Sequence, residues 1–136
     1  EIMSSDWSSD VCSSDLVWLS LPVGAATMAV LVGDNLRDLE EDREGGIRTL
    51  VMVLGRKQAR RLYVLLVVGS ALGAALLAAF GLIPLAGVGA PLALLAARRP
   101  LRNVIAGRRL PNIDALTAAY ASSLMLLIIL TCLLVR

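Results

Sequence analysis

The stretch VGDNLRDLEEDREGGIRTL, Val32 to Leu50, gathers Asp34, Asp38, Glu40, Glu41, Asp42 and Glu44 directly after an apolar run. Asp34, Asp38 and Asp42 recur at every fourth residue, so a helix continuing out of that run stacks all three on one face. Like charges at this spacing repel by about 0.2–0.5 kcal/mol per pair. Arg37 and Glu41 can pair on a neighbouring face, but that pair leaves the Asp column uncompensated. A divalent cation would compensate it. Mg²⁺ takes oxygen ligands and is often held by one or two carboxylates plus substrate phosphates. Arg37, Arg43 and Arg48 stand close by in sequence and are suited to phosphate oxygens. Carboxylates, a hard cation and guanidinium groups beside a membrane suggest a lipid diphosphate as substrate. A solvated loop between two apolar segments explains the same charges without chemistry, and spacing alone leaves both readings open. Glu44-Gly45-Gly46 adds a flexible break able to fold a loop over a ligand.

The elements that must position this stretch are apolar helices. Hydrophobic residues make up 57% of the 136, and the mean hydropathy is +0.77. Soluble domains run at roughly 45–50% apolar. The 13 basic residues fall into two clusters, Arg37 to Arg61 and Arg98 to Arg109, plus Arg136, with long uncharged stretches between. This is the pattern of an integral membrane protein, and it argues against nucleic acid as a partner. The absence of His excludes imidazole chemistry, and Cys12 and Cys132 are too few and too far apart for a zinc site or a disulfide framework.

Four transmembrane helices are expected, at about 17–33, 62–80, 81–97 and 113–135. A tight turn at Gly81 joins the second to the third, and a polar connection precedes the fourth. Both basic clusters then lie on one side, and their Lys and Arg place that side in the cytoplasm of a multi-pass cell-membrane protein. Gly69 and Gly73 form a GxxxG within a small-residue stretch suited to close helix contact. Tyr120, Ser122 and Ser123 are read as interhelical hydrogen-bonding groups, and Trp18 as an interfacial anchor. Residues 1–16, EIMSSDWSSDVCSSDL, fit none of this. Asp6 to Leu16 reads as the translation of a common sequencing-adapter string, so the segment is expected to be artefactual or disordered and the chain to be part of a longer protein.

The string DNLRDLEEDREGGIRTLVMVLGRKQARRLY, Asp34 to Tyr63, resembles the second Asp-rich motif of the UbiA superfamily of membrane prenyltransferases. It is most similar to the 1,4-dihydroxy-2-naphthoate polyprenyltransferase branch. Asn35, Arg37, Asp38, Asp42, Gly46, Thr49, Leu50, Val53, Leu54 and Gly55 carry the match. The resemblance implies an all-α membrane bundle of nine helices, of which residues 17–136 would be the C-terminal part. It implies Mg²⁺ as cofactor, a polyprenyl diphosphate donor, an aromatic acceptor, and a route to menaquinone. Asp38 and Asp42 would be the carboxylates for metal and diphosphate, with Asp34 a further ligand. Asn35, Arg37, Arg43 and Arg48 would contact or shape the substrate site. Asp34 stands where the branch usually has Asn, and Ile47 where it usually has Lys. The first Asp-rich motif is not in this sequence, so the chain is expected to be inactive alone. Another branch, serving ubiquinone, haem or chlorophyll-type products, is the nearest alternative. A noncatalytic membrane module or a transport subunit is the alternative of a different class.

Overall fold

The computed structural model describes residues 9–81, 86–107 and 112–134, and the regular structure among them is entirely helical. Six helices follow in order: α1 (Ser9–Arg37), α2 (Leu39–Glu44), α3 (Leu50–Leu54), α4 (Arg56–Ala79), α5 (Ala86–Ile105) and α6 (Ile113–Leu134). Among the described residues, three segments are long and apolar enough to cross a membrane: Val17–Arg37 of α1, Arg56–Ala79 of α4 and Ile113–Leu130 of α6.

Helix boundaries differ from the expected spans in α1, α4 and α5; α4 starts at Arg56, six residues before the expected span. The first helix begins at Ser9, not Val17, so residues 9–16 are helical and only residues 1–8 of that segment lie outside the described residues. Extending an existing helix adds a hydrogen bond per residue without a new nucleation cost, so the apolar run can carry a polar prefix with it. The span expected at 81–97 falls on α5, which starts at Ala86 and continues through Arg98, Arg99 and Arg102 to Ile105. Its first residues, 82–85, are not among those described. What reads as the start of a polar connection is thus two more helical turns. Arg, Leu and Ala are good helix formers, and Pro100 is buried in this stretch.

The four long helices form a ring. α1 lies against α4 and α6, and α5 lies against the same two. α4 and α6 therefore face each other across a diagonal. Their inward positions recur at helical spacing: Ala59, Tyr63, Val67, Ser70, Ala74 and Leu77 on α4, and Ile113, Thr117, Tyr120, Leu124 and Ile128 on α6. α1 contributes Ala26, Ala29 and Val32. Small side chains on these faces leave room for two tyrosines to reach across.

Tyr63 Oη meets Thr117 Oγ1 at 2.7 Å, and Tyr120 Oη meets Ser70 Oγ at 2.7 Å. Thr117 also donates to the Ile113 carbonyl at 2.5 Å, and Ser70 to the Val67 carbonyl at 2.9 Å. The interhelical role expected of Tyr120 is what the structure has. Ser123 instead bonds within its own helix, to the Tyr120 carbonyl at 2.8 Å. Gly33 lies under the Tyr63 ring, and a Cβ there would sit 3.3 Å from Cε2. Of the GxxxG pair, Gly73 packs toward Pro22 of α1, so this part of the motif serves the bundle itself. Gly81, at φ +78°, ends α4 in the left-handed conformation, as the expected turn requires. Leu65, Leu72, Leu76, Phe80, Leu126 and Ile129 point outward, as suits helices surrounded by lipid.

Candidate functional site

The acid-rich stretch sits where α1 ends and α6 begins. α1 stops at Arg37, Asp38 forms a bend (φ −89°, ψ 5°), and α2 starts at Leu39. Helix-type hydrogen bonds nevertheless cross the bend, from Asp38 N–H to the Asp34 carbonyl at 3.0 Å and from Asp42 N–H to the Asp38 carbonyl at 2.8 Å. The expected continuous helix is therefore kinked at its middle aspartate.

Arg37 is the centre of the cluster. Its Nε and Nη2 donate to the two oxygens of Asp38 at 2.6 and 2.8 Å, a forked pairing. Nη2 also pairs with Asp34 Oδ1 at 2.9 Å. Nη1 donates to Asp114 Oδ2, at the first turn of α6. The ion pairs of Arg37 thus run to Asp34, Asp38 and Asp114 and not to Glu41, which corrects the pairing expected from sequence. A guanidinium offers five N–H donors in a rigid fork, enough to serve several carboxylates at once. Arg37 thus offsets two members of the Asp column, Asp34 and Asp38. The forked bond from Arg37 holds the Asp38 carboxyl below the usual carboxylate range, against an opposing contribution from burial.

Asp114 is the residue that sequence reasoning passed over. A usable signal existed: it is the sole acidic residue after Glu44 in the whole chain. A carboxylate in the first turn of a helix is also stabilised by the helix dipole.

The remaining expected site residues are not drawn into the cluster. Among the described residues, no ion pair engages Asp42, Arg43 or Arg48, and Arg43 and Arg48 are exposed. Asn35 is half-buried one residue after Asp34. Arg56, at the start of α4, pairs with Glu40 and ties α2 to the bundle. The Glu44-Gly45-Gly46 break is a structured helix end and not a loose hinge. Ile47 N–H bonds the Asp42 carbonyl at 2.9 Å and Gly46 N–H the Arg43 carbonyl at 3.4 Å, with Gly46 at φ +69°. That is the Schellman pattern, in which a left-handed glycine closes the helix. Just beyond it, Thr49 Oγ1 is buried and has no hydrogen-bond partner among the described residues.

The donor set can be tested against a divalent cation. Among the described residues, no three acidic, His or Cys side chains converge as a metal cage. Three carboxylates do share one guanidinium, which leaves negative charge in excess. This fits a hard cation that takes one or two carboxylates from the protein and its other oxygens from a phosphate-bearing ligand. It does not fit a cation held by protein alone.

Three helical segments long and apolar enough to cross a membrane, among the described residues, with an acid-rich segment at one end, suit a multi-pass membrane protein. The chain belongs to the UbiA prenyltransferase family, which it matches over residues 3–104. It is 41% identical over 85 residues to the 1,4-dihydroxy-2-naphthoate octaprenyltransferase of Escherichia coli (strain K12), covering 60% of this chain and 28% of that protein. It is 34% identical over 50 residues to the enzyme of the same name from Bacillus subtilis (strain 168), covering 37% of this chain and 16% of that protein. The chain thus spans less than a third of the length of either relative. No solved structure matches it.

Proposed function

We propose that this chain carries the second acid-rich half of a site that transfers a polyprenyl group from its diphosphate to 1,4-dihydroxy-2-naphthoate, in menaquinone biosynthesis. The observation that carries the reading is the Arg37-centred cluster. It sets three carboxylates around one guanidinium at the end of the apolar helices, in a chain of the UbiA family. Asp38 and Asp42 are the carboxylates assigned to Mg²⁺ and diphosphate, with Asp34 a further ligand. Bound Mg²⁺ would supply charge neutralisation of the departing diphosphate. Arg37 keeps Asp38 ionised and oriented before substrate arrives. Arg43 and Arg48, exposed and without ion pairs among the described residues, are available to phosphate oxygens. Asn35 shapes the wall beside Asp34.

In this reading α5 is a fourth crossing, and the four long helices are the C-terminal part of a nine-helix bundle in the cell membrane. The acid-rich end faces the cytoplasm, supported by Arg37, Arg56, Lys57, Arg60 and Arg61 at that end.

The test grafts residues 17–136 into the Escherichia coli relative in place of the matching segment. Transfer of a labelled polyprenyl group to 1,4-dihydroxy-2-naphthoate is then followed in isolated membranes. The graft is expected to be active with Mg²⁺, and Asp38→Ala and Asp42→Ala are each expected to lower turnover about 100-fold or more. Near-normal turnover in either variant removes the role assigned to that residue. The 136-residue chain alone is expected to be inactive, and prenyl transfer by it would refute the half-site reading.

A further inference from the structure

The second basic cluster plays no part in the site above. Arg98, Arg99 and Arg102 of α5, with Leu95, line a groove of about 660 Å³ closed on its other side by Leu116 and Ala119 of α6. All three arginines are exposed, and among the described residues none of them has an ion-pair partner. Arg98 and Arg102 are four residues apart and stack on one helix face, where like charges repel.

The depth of the groove sharpens the problem. Tyr120, next to Ala119, bonds Ser70 Oγ and the Val67 carbonyl. Arg61 is the last charged residue of α4. Val67 lies six residues further in, about 9 Å at 1.5 Å per residue. The groove therefore reaches past the ring of charge at the end of the bundle, into the level of the apolar spans. Cationic side chains lining a groove that runs into the apolar level are favoured by a counter-charge or water. The walls facing them are leucine and alanine, which do not supply either. An anion carried on an apolar chain satisfies both surfaces at once.

The groove is also separate from the acid-rich site. At about 100° per residue, Leu116 and Ala119 lie on the side of α6 opposite Asp114, which faces Arg37. A ligand here does not compete for the carboxylates, and the inference stands whether or not the proposed prenyl transfer is correct.

We propose that the groove between α5 and α6 binds the phosphate headgroup of an anionic phospholipid, with Arg98, Arg99 and Arg102 on the phosphate and Leu95, Leu116 and Ala119 against the first acyl carbons. Basic pockets between transmembrane helices are suited to such headgroups.

The experiment uses the 136-residue chain, purified in a neutral detergent and mixed with equimolar phosphatidylglycerol and phosphatidylcholine. Retained lipid is counted by native mass spectrometry. Phosphatidylglycerol is expected to be retained about tenfold over phosphatidylcholine. The triple variant Arg98→Gln/Arg99→Gln/Arg102→Gln is expected to bring the two to near parity, with helix content by circular dichroism unchanged. Leu116→Trp, which fills the apolar wall and keeps every charge, is expected to lower phosphatidylglycerol retention as well. Arg60→Gln/Arg61→Gln, outside this groove, is expected to leave the preference intact. Equal retention of both lipids by the wild-type chain overturns the proposal, as does an undiminished preference in the triple variant or in Leu116→Trp. Displacement of phosphatidylglycerol by an equimolar prenyl diphosphate overturns the lipid assignment in favour of an isoprenoid donor.

Discussion

The Tyr63–Thr117 bond sits one helical turn inside the Arg37–Asp114 pair, and its geometry dictates an asymmetric response to mutation. Both residues are almost fully buried, at 0% and 1% exposure. The Thr117 hydroxyl has one proton, and that proton goes to the Ile113 carbonyl at 2.5 Å. Tyr63 must therefore be the donor in the 2.7 Å contact, and Thr117 Oγ1 the acceptor. Tyr63→Phe removes the donor and leaves Thr117 still satisfied through Ile113. Its cost is expected to be about 0.6 kcal/mol, the average for interhelical side-chain bonds in a membrane protein. Thr117→Val removes the acceptor and strands the Tyr63 hydroxyl, which has no other hydrogen-bond partner among the described residues. A buried unsatisfied donor costs about 1–3 kcal/mol. The double variant restores an apolar pair, so it should cost less than the sum of the two, with a coupling of about 1 kcal/mol. Reversible unfolding in mixed micelles, titrated with dodecyl sulfate and read by circular dichroism, measures all four proteins. A larger loss for Tyr63→Phe than for Thr117→Val, or a coupling indistinguishable from zero, refutes the donor assignment.

Three further outcomes follow from the same geometry. Gly33→Ala places a Cβ 3.3 Å from Tyr63 Cε2, on a ring whose hydroxyl is pinned. Overpacking of about 1–3 kcal/mol should exceed the helix-propensity gain of about 1 kcal/mol, giving net destabilisation in the same unfolding assay. The Asp38 carboxyl is held low by Arg37, so its contribution is full above the unfolded carboxylate value of about 3.9. That contribution is lost as pH falls through the lower folded value. Arg37→Gln should flatten this acid limb in a pH series of unfolding midpoints. In the grafted enzyme, Asp114→Asn should raise the Mg²⁺ concentration needed for half-maximal turnover, and Asp114→Glu should restore it in part. An unchanged Mg²⁺ dependence in Asp114→Asn shows that Asp114 holds the helices together without tuning the site.

The fold was legible where apolar length alone decides it. The run at 113–135 corresponds to α6 almost end to end, and the run at 62–80 lies within α4, which starts six residues earlier at Arg56. The differences lie at edges, where charged residues continue a helix beyond its apolar run. Arg98 to Arg102 belong to α5 because arginine is as good a helix former as leucine, whatever its hydropathy. In the site, the spacing of Asp34, Asp38 and Asp42 correctly raised the question of what offsets their repulsion. It could not reveal the answer, because Asp114 lies 77 residues from Arg37 in sequence. A local pattern names the partners within one helix, whereas a guanidinium fork recruits across helices. The Gly45-Gly46 pair misled for a related reason: glycine marks a backbone freedom, and only the hydrogen bonds show whether that freedom closes a cap or opens a hinge.

The distribution of polar bonds explains how so apolar a chain holds a charged cluster in place. Inside the ring, hydroxyls of α4 and α6 bond each other or nearby carbonyls, and no charged side chain is buried there among the described residues. Among the described residues the ion pairs lie at one end, where Arg37 joins α1 to α6 and Arg56 joins α2 to α4. The diagonal tyrosine bonds tie α6, which carries Asp114 at its start, to α4. Loosening the diagonal should therefore act on the site without touching it. Thr117→Val, three residues from Asp114, strands the buried Tyr63 hydroxyl and is expected to raise the Mg²⁺ requirement of the grafted enzyme, as Asp114→Asn does. Tyr120→Phe, a further turn inward and acting on a tyrosine with a second acceptor in the Val67 carbonyl, should change it less. If the two variants shift the Mg²⁺ requirement equally, or neither shifts it, the coupling between the diagonal and the charged end does not exist.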